Sequence, residues 1–214
     1  MSNKGKRILV YMIGMLILAL GLTLNTKANL GVSPIISVPF CISKLTGMNF
    51  GDLTFVVYVI FVGIQIAIDL YMKKSKRAIY DLLQLPLSLV FTRILNLFSA
   101  CINISENIWI RIVVLVIAIL CTGIGAAMSL SMQIVPNPGD GIVQALSEVF
   151  NKSVGLTKNV FDCLNLMITL SLGLLFSHKI IGIGIGTLMA VIGVGRVIAL
   201  FHHIFESRII KLVS

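Results

Sequence analysis

Val135-Pro136-Asn137-Pro138-Gly139-Asp140-Gly141 interrupts an otherwise hydrophobic pattern, and Gly31-Val32-Ser33-Pro34 interrupts it in the same way 104 positions earlier. Shifted by 104, the first half of the chain lands on the second without a gap through this interruption. Gly21 falls on Gly125, Pro34 on Pro138, Ser43 on Ser147, Gly51 on Gly155, and Arg7 on Arg111. After a one-residue deletion, Leu85, Arg93, Leu97 and Phe98 fall on Leu188, Arg196, Leu200 and Phe201. The ordered matches point to a duplication, with residues 1–104 as the first membrane repeat and 105–214 as the second, together one integral membrane domain. In a membrane chain such a duplication suggests a transporter-like design with a site between the repeats.

Composition places the chain in the membrane. Hydrophobic residues make up 57% of the 214 and charged residues only 12%, and the mean hydropathy is +1.04. That balance excludes an ordinary soluble domain of this size. The net charge of +9 does not point to nucleic acid, because the basic residues sit at the ends of apolar spans and form no face with interleaved aromatics. Cys41, Cys101, Cys121 and Cys163 lie in or near apolar stretches with no C-x-x-C spacing and no His cluster, so they are expected to pack and to hold neither a metal nor a disulfide.

Apolar runs at 8–28, 52–72, 79–99, 109–131, 156–177 and 180–201 each approach the ~20 residues that cross a bilayer. The first continues to about Leu24 without a small-residue cleavage site, so it reads as a retained span and not a signal peptide. The intervening segments 33–46 and 137–150 are too short to cross as helices, reaching only about 21 Å. With six spans and an inside N-terminus, eleven Lys and Arg face the cytoplasm, including the Lys73, Lys74, Lys76 and Arg77 group, against four outside. Both termini are therefore expected inside. Three spans per repeat is an odd number, so the second repeat is expected to be inverted relative to the first. The expected fold is all-α, with six transmembrane helices in two three-span inverted repeats, each carrying a short half-helix.

Ser33-Pro34 and Asn137-Pro138 read as helix starts. Ser and Asn accept from the free N–H groups of a first turn, and Pro lacks the N–H that would be left over. Asp140 is placed to reach back toward the Asn137 cap. Two half-helix starts at membrane depth present N–H groups and partial positive charge, which suits a carboxylate, phosphate or other acceptor. Asp140 in the same turn can occupy those donors or select a cation, and packing alone is the competing reading.

Span five opens with Lys158, Asn159, Asp162 and Asn165 on one helical face, where Lys158 and Asp162 pair at i, i+4. An acid inside a span is kept at an energetic cost, so Asp162 is the strongest single candidate for function. Its counterpart in the first repeat is Tyr58. The substrate-binding candidates are Ser33, Asn137, Asp140, Gln144, Lys158, Asp162 and Thr187. Gln65 and Gln84 add hydrogen-bonding groups, Glu148 is expected to pair with Lys152, and Arg93 and Arg196 to meet an acid or reach a surface.

The Asn137-Pro-Gly-Asp-Gly-Ile stretch, the acid at Asp162, Gly184-Ile-Gly-Thr and Gly193-Val-Gly-Arg, with Ala28-x-Leu-Gly-x-Ser-Pro in the first repeat, resemble the YczE/YitT-like family of bacterial membrane proteins. In that family the span-five acid is commonly Glu where this chain has Asp162, and Gly-Pro precedes the Asp where this chain has Pro138-Gly139. The resemblance implies a multi-pass protein of the bacterial cytoplasmic membrane and no settled activity.

A small-molecule transporter or permease is the reading these features favour. No ATP-binding motif is present, so transport would be secondary, facilitated or energised by a partner, and a substrate-binding subunit of a vitamin-type uptake complex is a variant. A non-transporting scaffold or regulatory membrane protein is the alternative. An enzyme is not expected, because the acids are dispersed and His178, His202 and His203 lie at span ends. The expected partners are the lipid bilayer and a small-molecule substrate, with no nucleic acid and no cofactor; a homo-oligomer or an energising partner is left open.

Overall fold

The computed structural model describes residues 3–213, with side chains from Lys4 to Phe205; Arg208 and Lys211, two of the expected cytoplasmic charges, lie outside the described side chains. The described residues form nine helices: α1 (Asn3–Ala28), α2 (Pro34–Thr46), α3 (Phe50–Tyr71), α4 (Ser75–Leu82), α5 (Gln84–Cys101), α6 (Ile108–Ser131), α7 (Pro138–Val149), α8 (Val154–Ser177) and α9 (Ile185–Val213). Six stretches are long and apolar enough to cross a membrane, namely α1, α3, α4 with α5, α6, α8 and α9. Trp109, Leu175, Phe176 and Ile185 are each more than 70% exposed, an arrangement suited to lipid and not to water. These features describe a multi-pass helical membrane protein.

Side-chain caps set several of the helix starts. Asn49 Oδ1 accepts from the Asp52 N–H at 3.1 Å, Asn107 Oδ1 from Trp109 at 2.9 Å, and Ser153 Oγ from Leu156 at 3.3 Å. Each satisfies one of the free donors of a first turn. The third expected span is broken at Leu83. Pro86 lacks an N–H and its ring crowds the carbonyl four residues earlier, at Leu82, so one continuous helix is disfavoured there. The sixth starts at Ile185 and not at 180, because His178 and Gly182 take left-handed φ values of 55° and 76°, which end α8 and delay α9.

The chain divides into two compact units, each drawing on both halves of the sequence. The first comprises residues 1–33, 94–134 and 184–214, and contains α1, α6 and α9. Here α1 packs on α6 and α6 on α9. A Cβ at Gly21 would lie 2.5 Å from the Thr122 backbone nitrogen and 2.9 Å from the Ala118 carbonyl oxygen, and one at Gly125 would overlap Leu18 and lie 2.6 Å from the Gly14 carbonyl. Such close approach is how membrane helices gain dispersion contact where lipid offers no hydrophobic drive. Ala28, Leu115, Ile119 and Ala190 form its buried cluster.

The second unit comprises residues 34–93 and 135–183. In it α2 packs on α8, α7 on α3, and α4 on α3. Ser37 Oγ and Thr169 Oγ1 meet at 2.7 Å, fully buried, between α2 and α8. Gln65 Nε2 of α3 donates to the Pro138 carbonyl at 3.2 Å at the start of α7. The first turns of α2 and α7 touch, since a Cβ on Gly139 would lie 2.5 Å from Ile35 Cδ1.

Candidate functional site

The start of α7 is the polar centre of the second unit. Asn137 takes the extended φ and ψ of an N-cap, −62° and 140°. Its Oδ1 accepts from the Gly139 N–H at 3.1 Å, and its backbone carbonyl accepts from Asp140 and Gly141 at 2.9 Å. Asn137 is 8% exposed, and its Nδ2 is buried without a hydrogen-bond partner. A buried amide nitrogen left this way costs on the order of 1–3 kcal/mol, and the acceptor within its reach is the neighbouring Tyr58 hydroxyl, which does not meet hydrogen-bond geometry in this arrangement.

Two further elements close on this point. From α3, Tyr58 is 1% exposed, with its phenol beside the Asn137 side chain and within electrostatic reach of Asp140. Phe91 stacks on it at 6.4 Å and Phe61 lies at 6.3 Å, itself edge-on to Phe161 of α8 at 5.3 Å. From α8, Asp162 is 5% exposed. Its Oδ2 lies 3.3 Å from Lys158 Nζ, and its Oδ1 is buried with no hydrogen-bond partner. Asp140 is within electrostatic reach of both Lys158 and Asp162.

Five of the seven candidates, Asn137, Asp140, Gln144, Lys158 and Asp162, belong to the second unit, and all but the half-buried Gln144 have interactions that tie them to this cluster. Ser33 and Thr187 belong to the first unit. The Ser33 backbone N–H donates to Asn25 Oδ1 at 2.7 Å, and Thr187 Oγ1 accepts from the Gly184 N–H at 3.2 Å, closing the turn into α9. Asn159 is exposed while Lys158, Asp162 and Asn165 turn inward, because a step of one residue rotates about 100° off a helical face.

Glu148 corrects an expectation. It pairs with Lys74 and with Arg77, each at 2.6 Å, and not with Lys152. α7 ends at Val149, so Lys152 lies past the helix and the i, i+4 geometry does not reach it. Arg93 does meet an acid, Asp52, at 2.7 Å.

A second polar chain escaped the sequence reading. Asp69 of α3 is 1% exposed and lies 3.4 Å from Arg77 Nε. Asp81 of α4 is beside Asp69 and accepts from Gln84 Nε2 at 2.9 Å. Gln84 Nε2 also donates to Gln65 Oε1 at 2.9 Å. The local signal for it is that Asp69 closes an apolar span as Asp162 opens one. In the sequence Tyr58 stands out only as the counterpart of Asp162 in the first repeat.

No curated protein and no solved structure matches the chain. The family model described as "Family of unknown function (DUF6198)" matches residues 5–203. The span from the first apolar helix through most of the last is thus covered, and the chain belongs to this uncharacterised family.

Proposed function

We propose that the protein is a small-molecule transporter or permease of the bacterial cytoplasmic membrane, whose substrate binds in the second unit at Asn137, Asp140, Lys158 and Asp162, with Tyr58 beside them. The observation that carries this reading is the pair of buried, unpartnered polar atoms, Asn137 Nδ2 and Asp162 Oδ1, in one aromatic-walled cluster. Buried polar groups are normally paired, and an unpaired donor and acceptor gathered together are what a ligand would satisfy. Two carboxyl groups face one lysine, so at least one of them has no cation of its own in this cluster, which favours a substrate that brings a cationic or hydrogen-bond-donating group over a simple anion. The chemistry of the residues, and not a family name, sets that preference.

An inverted repeat supports the transport reading, and the packing of residues is what such a repeat would produce. Exchanging the halves by 104 positions turns the Gly21 contacts with Thr122 and Ala118 into the Gly125 contacts with Leu18 and Gly14. The same exchange turns the Ser37–Thr169 contact into that of Gly141 with Gln65, and maps Ile35–Gly139 onto itself. Asn49 and Ser153, also 104 apart, cap α3 and α8. Contacts that reciprocate in this way are what a twofold operation between the repeats would produce, and three spans per repeat would lay its axis in the membrane plane. Cytoplasmic termini follow from the Lys and Arg bias. Kinship with the YczE/YitT-like proteins is part of the same proposal.

The test is thermal stabilisation of the detergent-solubilised protein across a metabolite library enriched in amines, followed by uptake into proteoliposomes for any compound that stabilises it. A hit lost in Asp162→Asn and followed by uptake supports the reading. Stabilisation without uptake would favour a binding or regulatory protein, and no hit among cationic compounds would remove the proposed charge preference.

A further inference from the structure

We infer that Asp69 and Asp81 form a site for one proton, wired to the start of α7 through Gln84 and Gln65. The two carboxyls come from different helices, α3 and α4, and lie within hydrogen-bonding reach of each other at 1% and 7% exposure. Ionised carboxylates only accept hydrogen bonds, so two of them side by side have nothing to share. Neither oxygen of Asp69 has a hydrogen-bond partner. A single proton between the acids supplies the missing donor and removes the repulsion of two like charges held together away from water.

The surrounding charges are too few to hold both acids ionised. Arg77 is the cation that faces them, and its guanidinium is divided: Nε lies 3.4 Å from Asp69 Oδ2, whereas one terminal nitrogen, Nη1, is held at 2.6 Å by Glu148 from α7. Lys74, in the turn between α3 and α4, also spends its charge on Glu148 at 2.6 Å. α5 contributes an uncharged group, Gln84. Two buried acids therefore compete for part of one cation, and a proton is the smallest ligand that balances them.

The wiring follows from the amide geometry. Gln84 is 1% exposed, and its Nε2 donates both to Asp81 Oδ1 and to Gln65 Oε1, at 2.9 Å each. An amide nitrogen has two protons, so both are committed, and Gln84 Oε1 is left buried without a partner. Gln65 Nε2 then donates to the Pro138 carbonyl at 3.2 Å, one residue after Asn137. When the proton leaves, the charge on Asp81 strengthens its hold on Gln84, and the change is passed through Gln65 to the turn that carries Asn137 and Asp140. This coupling rests on the proposed substrate site; the proton site itself does not.

Infrared spectroscopy of the full-length protein in nanodiscs reads the proton directly as the carbonyl stretch of a protonated carboxyl group. The wild type should show this band at neutral pH, and it should be lost in Asp81→Asn and in Asp69→Asn while persisting in Asp52→Asn, which alters an exposed acid paired with Arg93. No band at neutral pH, or a band surviving both substitutions, would overturn the site. Because Asn resembles the protonated acid, both variants should elute as monodisperse protein. If either does not, Glu148→Gln provides the second reading: it frees Arg77 for the acids, so the band should vanish at lower pH than in the wild type, and an unchanged titration refutes the pair. For the wiring, hydrogen exchange at Gly139–Gly141, corrected for intrinsic rates, should change as the band titrates and should lose that dependence in Gln65→Met. Retained dependence breaks the relay and leaves the proton site standing.

Discussion

Asp162→Asn should weaken ligand binding far more than it weakens the fold, and the asymmetry can be worked from the geometry of its one ion pair. Asp162 is the buried partner, with its side chain 7% exposed, whereas the Lys158 side chain is 35% exposed. If the acid is replaced, Lys158 can extend its stem and reach water, so the loss is close to that of a partly screened pair, about 1 kcal/mol or less. If Lys158 is replaced by Met, the buried carboxylate stays behind with Asp140 nearby, and the cost moves toward the ~3–5 kcal/mol of an uncompensated buried charge. A ligand that hydrogen-bonds the unpartnered Oδ1 as a cation should lose about 1.5–3 kcal/mol in Asp162→Asn, roughly ten- to hundred-fold in affinity. The assay is thermal unfolding in detergent with and without the stabilising ligand, on both single variants and the double. The expected order is Lys158→Met least stable, Asp162→Asn near wild type, and the double variant restored. Loss of folded protein in Asp162→Asn, with rescue by Lys158→Met, would refute the reasoning and make the acid a structural partner of the lysine.

Asn137→Ala should remove about 1 kcal/mol through the lost cap, and ligand affinity should fall by more than that figure implies; an equal change in both, measured by melting and by binding, leaves the residue as architecture. Burial alone would raise the Glu148 carboxyl, but its hydrogen bonds to Arg77 and Lys74 and their charges outweigh this and hold it below its ordinary value of 4.5. A lowered folded value stabilises the protein above the unfolded value, and the contribution is lost as pH falls below 4.5 and through the folded one. Melting of the wild type should therefore drop over that acid window more than melting of Glu148→Gln. Ser75→Cys in a cysteine-free background should label from the cytoplasmic side; labelling from outside would reverse the expected topology and the inverted repeat with it.

A helical membrane protein with six long spans and two short proline-started helices is legible in the sequence alone. Those are properties of local composition: an apolar run near 20 residues matches the thickness of a bilayer, and Ser-Pro or Asn-Pro ahead of an apolar stretch suits the first residues of a helix. Asn137 could be read as a cap, and Lys158 with Asp162 as a pair, because both depend on neighbours within one helical turn. Tertiary structure decided which polar groups meet across helices. That α3 brings Tyr58 to Asn137 and Gln65 to Pro138 has no local signature, since the partners lie more than 70 residues apart. Glu148 illustrates the difference, for the i, i+4 rule offered Lys152, yet the helix ended first and the bend between α3 and α4 carried Lys74 and Arg77 into reach. The break at Leu83 rests on Pro86, a local cause, but its consequence is not local: the short α4 it leaves packs on α3 with Asp81 beside Asp69, two acids that stand twelve positions apart in the sequence and that packing brings together.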